Sequence, residues 1–173
     1  MEKIAIGDPG ENANMGAVIN EGSMKSILDY IEVGKKDGRV ITGGGPAKNA
    51  GEGYFLQPTV IADIPAGSRL EQEEVFGPLL AVIKSKNYDH ALEIANDTEF
   101  GLTGAVYTKS KDKIARAIKE FHVGNLYINR KCTSATVAAH PFGGLNMSGT
   151  ASKSGGPDYL YLFTQGKAVG EKI

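Results

Sequence analysis

The chain of 173 residues contains a single cysteine, Cys132. One thiol cannot close an internal disulfide or build a cysteine-rich metal site, so two common ways of bracing a small domain are excluded. No stretch approaches the roughly 18 uncharged apolar residues of a membrane span. Neither sign of charge dominates: 20 acidic residues stand against 19 basic ones, for a net charge of -1. No basic stripe invites nucleic acid. The opening "MEKIAIGDPG" lacks the basic and long apolar regions of a secretory signal, and the cytoplasm is the expected location. The phosphate-binding spacings GxxxxGK[ST] and GxGxxG are also missing. The triplet "TGGGP", residues 42 to 46, has neither and reads as a plain turn.

What is present suits an ordinary soluble domain, with 41% apolar and 23% charged residues. A chain of this length buries roughly 70% of the surface its unfolded form exposes, enough for a real core. Glycine stands out at 23 residues. The glycines scatter in pairs and triplets between apolar runs without a fixed period, which marks turns and close backbone approaches rather than low complexity.

Met24, Ile27, Leu28 and Ile31 recur at helical spacing and predict a helix over about 21 to 36, with Ser23 as candidate N-cap and Gly34 or Gly38 as stop. "RVITGGG" reads as a short strand. "GEGYFLQPTVIAD" reads as an extended segment broken or at an edge, because Pro58 donates no ladder hydrogen bond. "SRLEQEEVFGP" is a short acidic helix or turn, and the continuous apolar run "LLAVIKS" has the form of a parallel strand covered on both faces. In "NYDHALEIANDTEFG", Ala91, Leu92, Ile94 and Ala95 share one helix face, with Gly101 as its terminator. Then come the strand "LTGAVYT", a helix with Ile114, Ala117, Ile118 and Phe121 on one face, and the strand "NLYIN". Helix and strand alternate, so the expected class is α/β with a mostly parallel sheet flanked by helices. After Asn129 about thirty residues of Ser, Thr, Gly, Ala and Pro carry almost no periodicity, and loops that long are usually functional or disordered. The tail from "DYLYLF" reads as a terminal strand that needs an edge to pair with, such as another subunit's.

Three constellations bear on chemistry. Cys132 follows Arg130 and Lys131, cations that lower a thiol's pKa, and His140 lies eight positions on; a thiol hydrolase is one reading and a small packing residue the other. "EQEEVFGP", residues 71 to 78, is either a solvated acidic turn with Phe76 anchoring the core, or a ligand clamp. In the clamp an ionised carboxylate, which only accepts hydrogen bonds, meets a ribose diol beside the flat ring of Phe76. "HPFGGLNMSG", residues 140 to 149, is either a tight turn with Phe142 plugging the core, or a loop whose open backbone N–H groups hold an anion such as a carboxylate.

Taken together and in this order, "EEVFGP", "NDTEFGLTGAVYT", "VGNLYINR" and "HPFGG…MSGT" resemble the aldehyde dehydrogenase family over essentially the whole chain. Within it, "NRKCTSATVAAHPFGGLNMSGT" and "KSGGPDYL" are similar to the branch that oxidises glutamate semialdehyde, the open form of 1-pyrroline-5-carboxylate, to glutamate. The resemblance implies roles for particular residues. Glu74 corresponds to the glutamate that binds the nicotinamide ribose of NAD, and Phe76 to the aromatic beside the nicotinamide. Thr133 to Val137 correspond to the loop that anchors the substrate α-carboxylate, chiefly through the backbone N–H groups of Ser134 and Ala135. Phe142 corresponds to an aromatic lining the aldehyde pocket, and Cys132 is then not the nucleophile. Two positions depart from the family: Ala17 stands where Pro is usual, and Asn146 where Lys is frequent. Neither must do chemistry.

The family's nucleophilic cysteine, its glutamate base, the asparagine of its oxyanion hole and its Rossmann-type NAD domain all lie upstream of the segment that resembles this chain. The expectation is therefore a C-terminal portion, inactive alone, with residues 1–128 as a partial catalytic α/β domain, 129–157 as the substrate-anchor and PFGG region, and 158–173 as a C-terminal β oligomerisation strand. Its partners would be the upstream half or further copies of itself, and glutamate semialdehyde in the whole enzyme. The preference for NAD over NADP would rest with the absent domain. Missing sheet neighbours would leave apolar surface uncovered. A non-catalytic module that docks on a relative through residues 159 to 169 is the alternative.

Overall fold

The first long helix, α1 (Glu21–Asp37), begins where the Asn20 side chain accepts a hydrogen bond from the Ser23 backbone N–H. The cap is therefore Asn20 and not Ser23, which lies inside the first turn; the helix runs on past buried Gly34 and ends at Gly38. These features belong to a computed structural model, which describes residues 3–48, 50, 52–133, 135–136 and 138–173. The chain forms two compact units, Met1–Lys86 and Asn87–Ile173. The region 1–128, expected as one partial domain, thus contributes to both.

In the first unit, α1 packs on a three-stranded sheet of β1 (Arg39–Thr42), β2 (Thr59–Ala62) and β3 (Leu79–Val82), in that spatial order. β1 runs antiparallel to β2, and β2 parallel to β3. Pro58 stops just short of β2, which lets β2 keep a full set of donors in the centre of the sheet rather than at an edge. Ile27, Ile31 and Leu56 make one buried cluster; Ile61, Ile64 and Leu70 make the other, with Leu70 supplied by the one-turn helix α2 (Arg69–Gln72). Each such side chain contributes about 1.5–3 kcal/mol on burial. β3 is not covered on both faces as its apolar run predicts. Leu79 and Ala81 pack on the core, whereas Leu80 and Val82 are 52% and 40% exposed. The same outer side of the sheet carries exposed Ile41.

In the second unit, β5 (Thr103–Val106) and β6 (Asn125–Ile128) pair in parallel across the crossover helix α4 (Lys111–Glu120). Asn87 caps α3 (Tyr88–Asn96) and Ser110 caps α4, each side chain accepting from the N–H three residues on. α3 stops at Asn96, five residues before the expected Gly101 terminator, because Phe100–Gly101 form strand β4 instead. Ala117 is buried on α4, but Ile118, expected on the same face, is exposed. The segment after Asn129 is not featureless: β7 (Leu145–Asn146) pairs with β4, and Phe142 and Ser154 form an antiparallel bridge. The strand expected over 158–173 is unpaired. Tyr159–Phe163 form a 3-10 turn and the following residues carry no regular structure. A strand exists only with a ladder partner, and this segment has none among the described residues.

Candidate functional site

The acidic segment after α2 is pinned from two directions. Arg69, four residues before Glu73, donates from Nε to Glu73 Oε2 at 2.9 Å, and the Tyr30 hydroxyl of α1 donates to the same oxygen. The Arg69 guanidinium also lies 4.7 Å over the Tyr30 ring. The Tyr30 hydroxyl and the arginine together hold the Glu73 carboxyl below its ordinary range, and in turn Glu73 pushes the Tyr30 phenol up. Two residues on, Val75 packs against both core clusters. The core anchor in this segment is therefore Val75, and Phe76 is 82% exposed with a left-handed φ of 52°. A large ring in solvent at a rarely populated backbone angle adds nothing to the core of this unit. Glu74 is exposed as well, with no side-chain partner among the described residues. Gly77 lets the segment lie against α1, since a Cβ there would stand 2.7 Å from Ile27. Glu74 and Phe76 are thus presented together on the solvent side, with one carboxylate oriented away and one free.

The second unit contains a cavity of about 570 Å³, floored by Tyr127 of β6 and by Leu102 and Thr103 at the start of β5. Its other walls are Cys132, Thr133, Ala135, Phe142 and Ser154, so the structure gathers two of the three expected substrate residues, Ala135 and Phe142, around one space. The third, Ser134, lies outside the described residues, as does Val137 at the end of the expected anchor loop. The turn bearing Phe142 is fixed by polar side chains. Asn125 donates from Nδ2 to Pro141 O at 2.8 Å and accepts from Gly143 N at 3.1 Å. Lys153 Nζ reaches Gly124 O and Gly143 O, each at 2.5 Å. Phe142 and Ser154 exchange backbone bonds of 2.9 and 2.8 Å. The approach is close enough that a Cβ on Gly124 would fall 1.8 Å from Gly143 O.

Cys132 is exposed and lines the cavity, but no hydrogen bond joins it to His140 among the described residues. His140 Nδ1 instead accepts from Thr136 N at 3.4 Å, which ties it to its own turn. Among the described residues, the thiol-hydrolase reading finds no hydrogen-bonded base at the Cys132 sulfur. Tyr30, Arg69, Asn125 and Lys153 escape sequence reasoning. Only the Arg69–Glu73 pair, at helical i,i+4 spacing, had a local signal.

Residues 1–169 match the family model for the aldehyde dehydrogenase family. The chain is 53% identical over 171 residues to a 1-pyrroline-5-carboxylate dehydrogenase of Geobacillus sp. (strain WCH70), covering 98% of this chain and 33% of that enzyme. It is 59% identical over 157 residues to the enzyme of that name from Bacillus pumilus (strain SAFR-032), covering 91% and 30%. Among solved structures it is similar to a 1-pyrroline-5-carboxylate dehydrogenase from Thermus with bound NAD, with a TM-score of 0.95 and 47% identity over 99% of this chain and 33% of that one. It is also similar to a Mycobacterium tuberculosis aldehyde dehydrogenase complexed with NAD+, with a TM-score of 0.85 and 34% identity over 95% and 34%. The chain spans about a third of the length of the relatives it matches.

Proposed function

The chain belongs to the aldehyde dehydrogenase family, and from that premise we propose that it is the C-terminal third of an NAD-dependent 1-pyrroline-5-carboxylate dehydrogenase, which oxidises glutamate semialdehyde to glutamate. The observation that carries the reading is the likeness, over nearly its whole length, to enzymes of that one name. The α/β architecture of both units and the cavity bounded by Ala135 and Phe142 support it.

When bound, NAD supplies the hydride acceptor that no side chain here can replace. The residues present fit that group. Glu74 offers an exposed carboxylate that would accept from ribose hydroxyls, and Phe76 an exposed flat ring that would lie beside the nicotinamide. Ala135 lines the cavity and, with Ser134, would hold the substrate α-carboxylate through backbone N–H groups, while Phe142 would wall the aldehyde side. Thioester chemistry needs a nucleophile, a base and an oxyanion donor. All three come from the upstream part, so this chain alone supplies binding surface and no bond-making group. Its partners are that upstream part and further copies of the chain. No described helix is long and apolar enough to cross a membrane, and the cytoplasm is the proposed compartment.

The carboxylate anchor gives the test. Joined to the upstream part, the chain should turn over glutamate semialdehyde with kcat/KM about 10²-fold or more above that for an aldehyde of equal length lacking the α-carboxylate. Equal values for the two would contradict the assignment to this branch. A docking module is favoured by a second observation: Leu160, Tyr161, Leu162 and Phe163 are consecutive and exposed, Leu160 by 74%. In that reading the chain binds a relative through this run and contributes nothing to turnover.

A further inference from the structure

We propose that Tyr30 and Arg69 are positioning residues for the NAD-facing pair, acting through Glu73 to hold Glu74 and Phe76 on the solvent side of the segment. The proposal rests on the reading of Glu74 and Phe76 as cofactor contacts and goes beyond it by naming what aims them.

Glu73 has extended backbone, φ -102° and ψ 145°, so its side chain and that of Glu74 leave on opposite sides. Glu73 points to α1 and α2, where Tyr30 and Arg69 share one of its carboxylate oxygens. Val75, half-buried, packs against both core clusters. A polar pin at 73 and an apolar contact at 75 therefore leave 74 facing outward, and the left-handed turn at Phe76, φ 52°, carries its ring into solvent as well. Without the polar pin the chain has two adjacent carboxylates and one half-buried valine. Rotation about that valine could then exchange which glutamate is presented. Tyr30 and Arg69 break the tie, since Arg69 is itself stacked on the ring of the tyrosine whose hydroxyl completes the pair. These groups are largely exposed, so the device is one of orientation rather than of stability.

Tyr30→Phe keeps the ring and its arginine contact and removes only the hydroxyl; Arg69→Lys is the second variant, in case the first perturbs the helix. Backbone order parameters of Glu74, Val75 and Phe76 are measured on the chain itself by nitrogen-15 relaxation. In the native chain these should be about 0.85, and in either variant below about 0.6. Glu74→Gln should leave them unchanged. In the enzyme reassembled with its upstream part, Tyr30→Phe should raise KM for NAD about three- to tenfold, with kcat and the KM for the aldehyde held within about twofold. Order retained in both variants overturns the proposal, and so does order lost with KM for NAD unmoved. If no reassembled enzyme turns over, the functional reading fails, while the order parameters still decide whether Tyr30 and Arg69 hold the segment.

Discussion

A single residue carries the contrast between structure and function in the acidic segment. Phe76 is out in solvent and Val75 packs against the core, so their truncations should rank in the reverse of their sizes. Phe76→Ala is expected to change the stability of the chain by no more than about 0.5 kcal/mol, and Val75→Ala to lower it by about 1–2 kcal/mol. Urea unfolding checks this, and a larger loss from Phe76→Ala would put the ring back in the core. Lys153 holds two carbonyls at 2.5 Å under the turn that bears Phe142. Lys153→Met should cost about 1–3 kcal/mol by leaving acceptors unpaired, read as a lower melting temperature. The proposed site residues Glu74, Phe76 and Phe142 stand out in the sequence because they sit in short, recognisable strings. Their supports do not. Tyr30 meets Glu73 across 43 positions, and Lys153 meets Gly124 across 29; no local pattern announces a contact over such separations.

At the scale of elements, apolar periodicity located α1, α3, α4 and the strands around them, because each buries one face and the spacing records that face. Boundaries were less legible, since a cap is chosen by competition among nearby polar residues. Asn20 outcompetes Ser23, so Asn20→Ala should cost about 1 kcal/mol while Ser23→Ala costs much less. The terminal segment forms no strand in the single chain, because its pattern specifies an apolar ribbon without supplying a partner edge. Helix α4 carries its own pH response. Arg116, bonded to Glu120 and Asp89, holds the Glu120 carboxyl below its ordinary range. A lowered folded pKa adds stability above the unfolded value, which is lost as pH falls through the folded one. The urea midpoint should therefore decline on acidification from about pH 4.3 downward. In Glu120→Gln that decline should be shallower, and an identical slope would remove Glu120 as a cause.

For the whole molecule, the run "LLAVIKS" reads as a strand buried on both faces, and in this chain one face is open. Both facts hold if the sequence is shaped for a larger body than the chain itself provides. Ile41, Leu80 and Val82 on that face, and the run from Leu160 to Phe163, leave apolar surface in water that favours association. Sedimentation at increasing concentration should detect self-association, and replacing both Leu80 and Val82 by lysine should reduce it while weakening assembly with the upstream part. The proposed function makes the same demand, since it gives this chain pocket walls and a cofactor clamp and leaves the reacting groups to the rest of the enzyme. The most direct measurement is NADH formation on glutamate semialdehyde by the purified chain, its intact mass verified, alone and mixed with the upstream two thirds of the enzyme. Turnover only in the mixture is the predicted result. Sustained NADH formation by the chain alone would contradict the account.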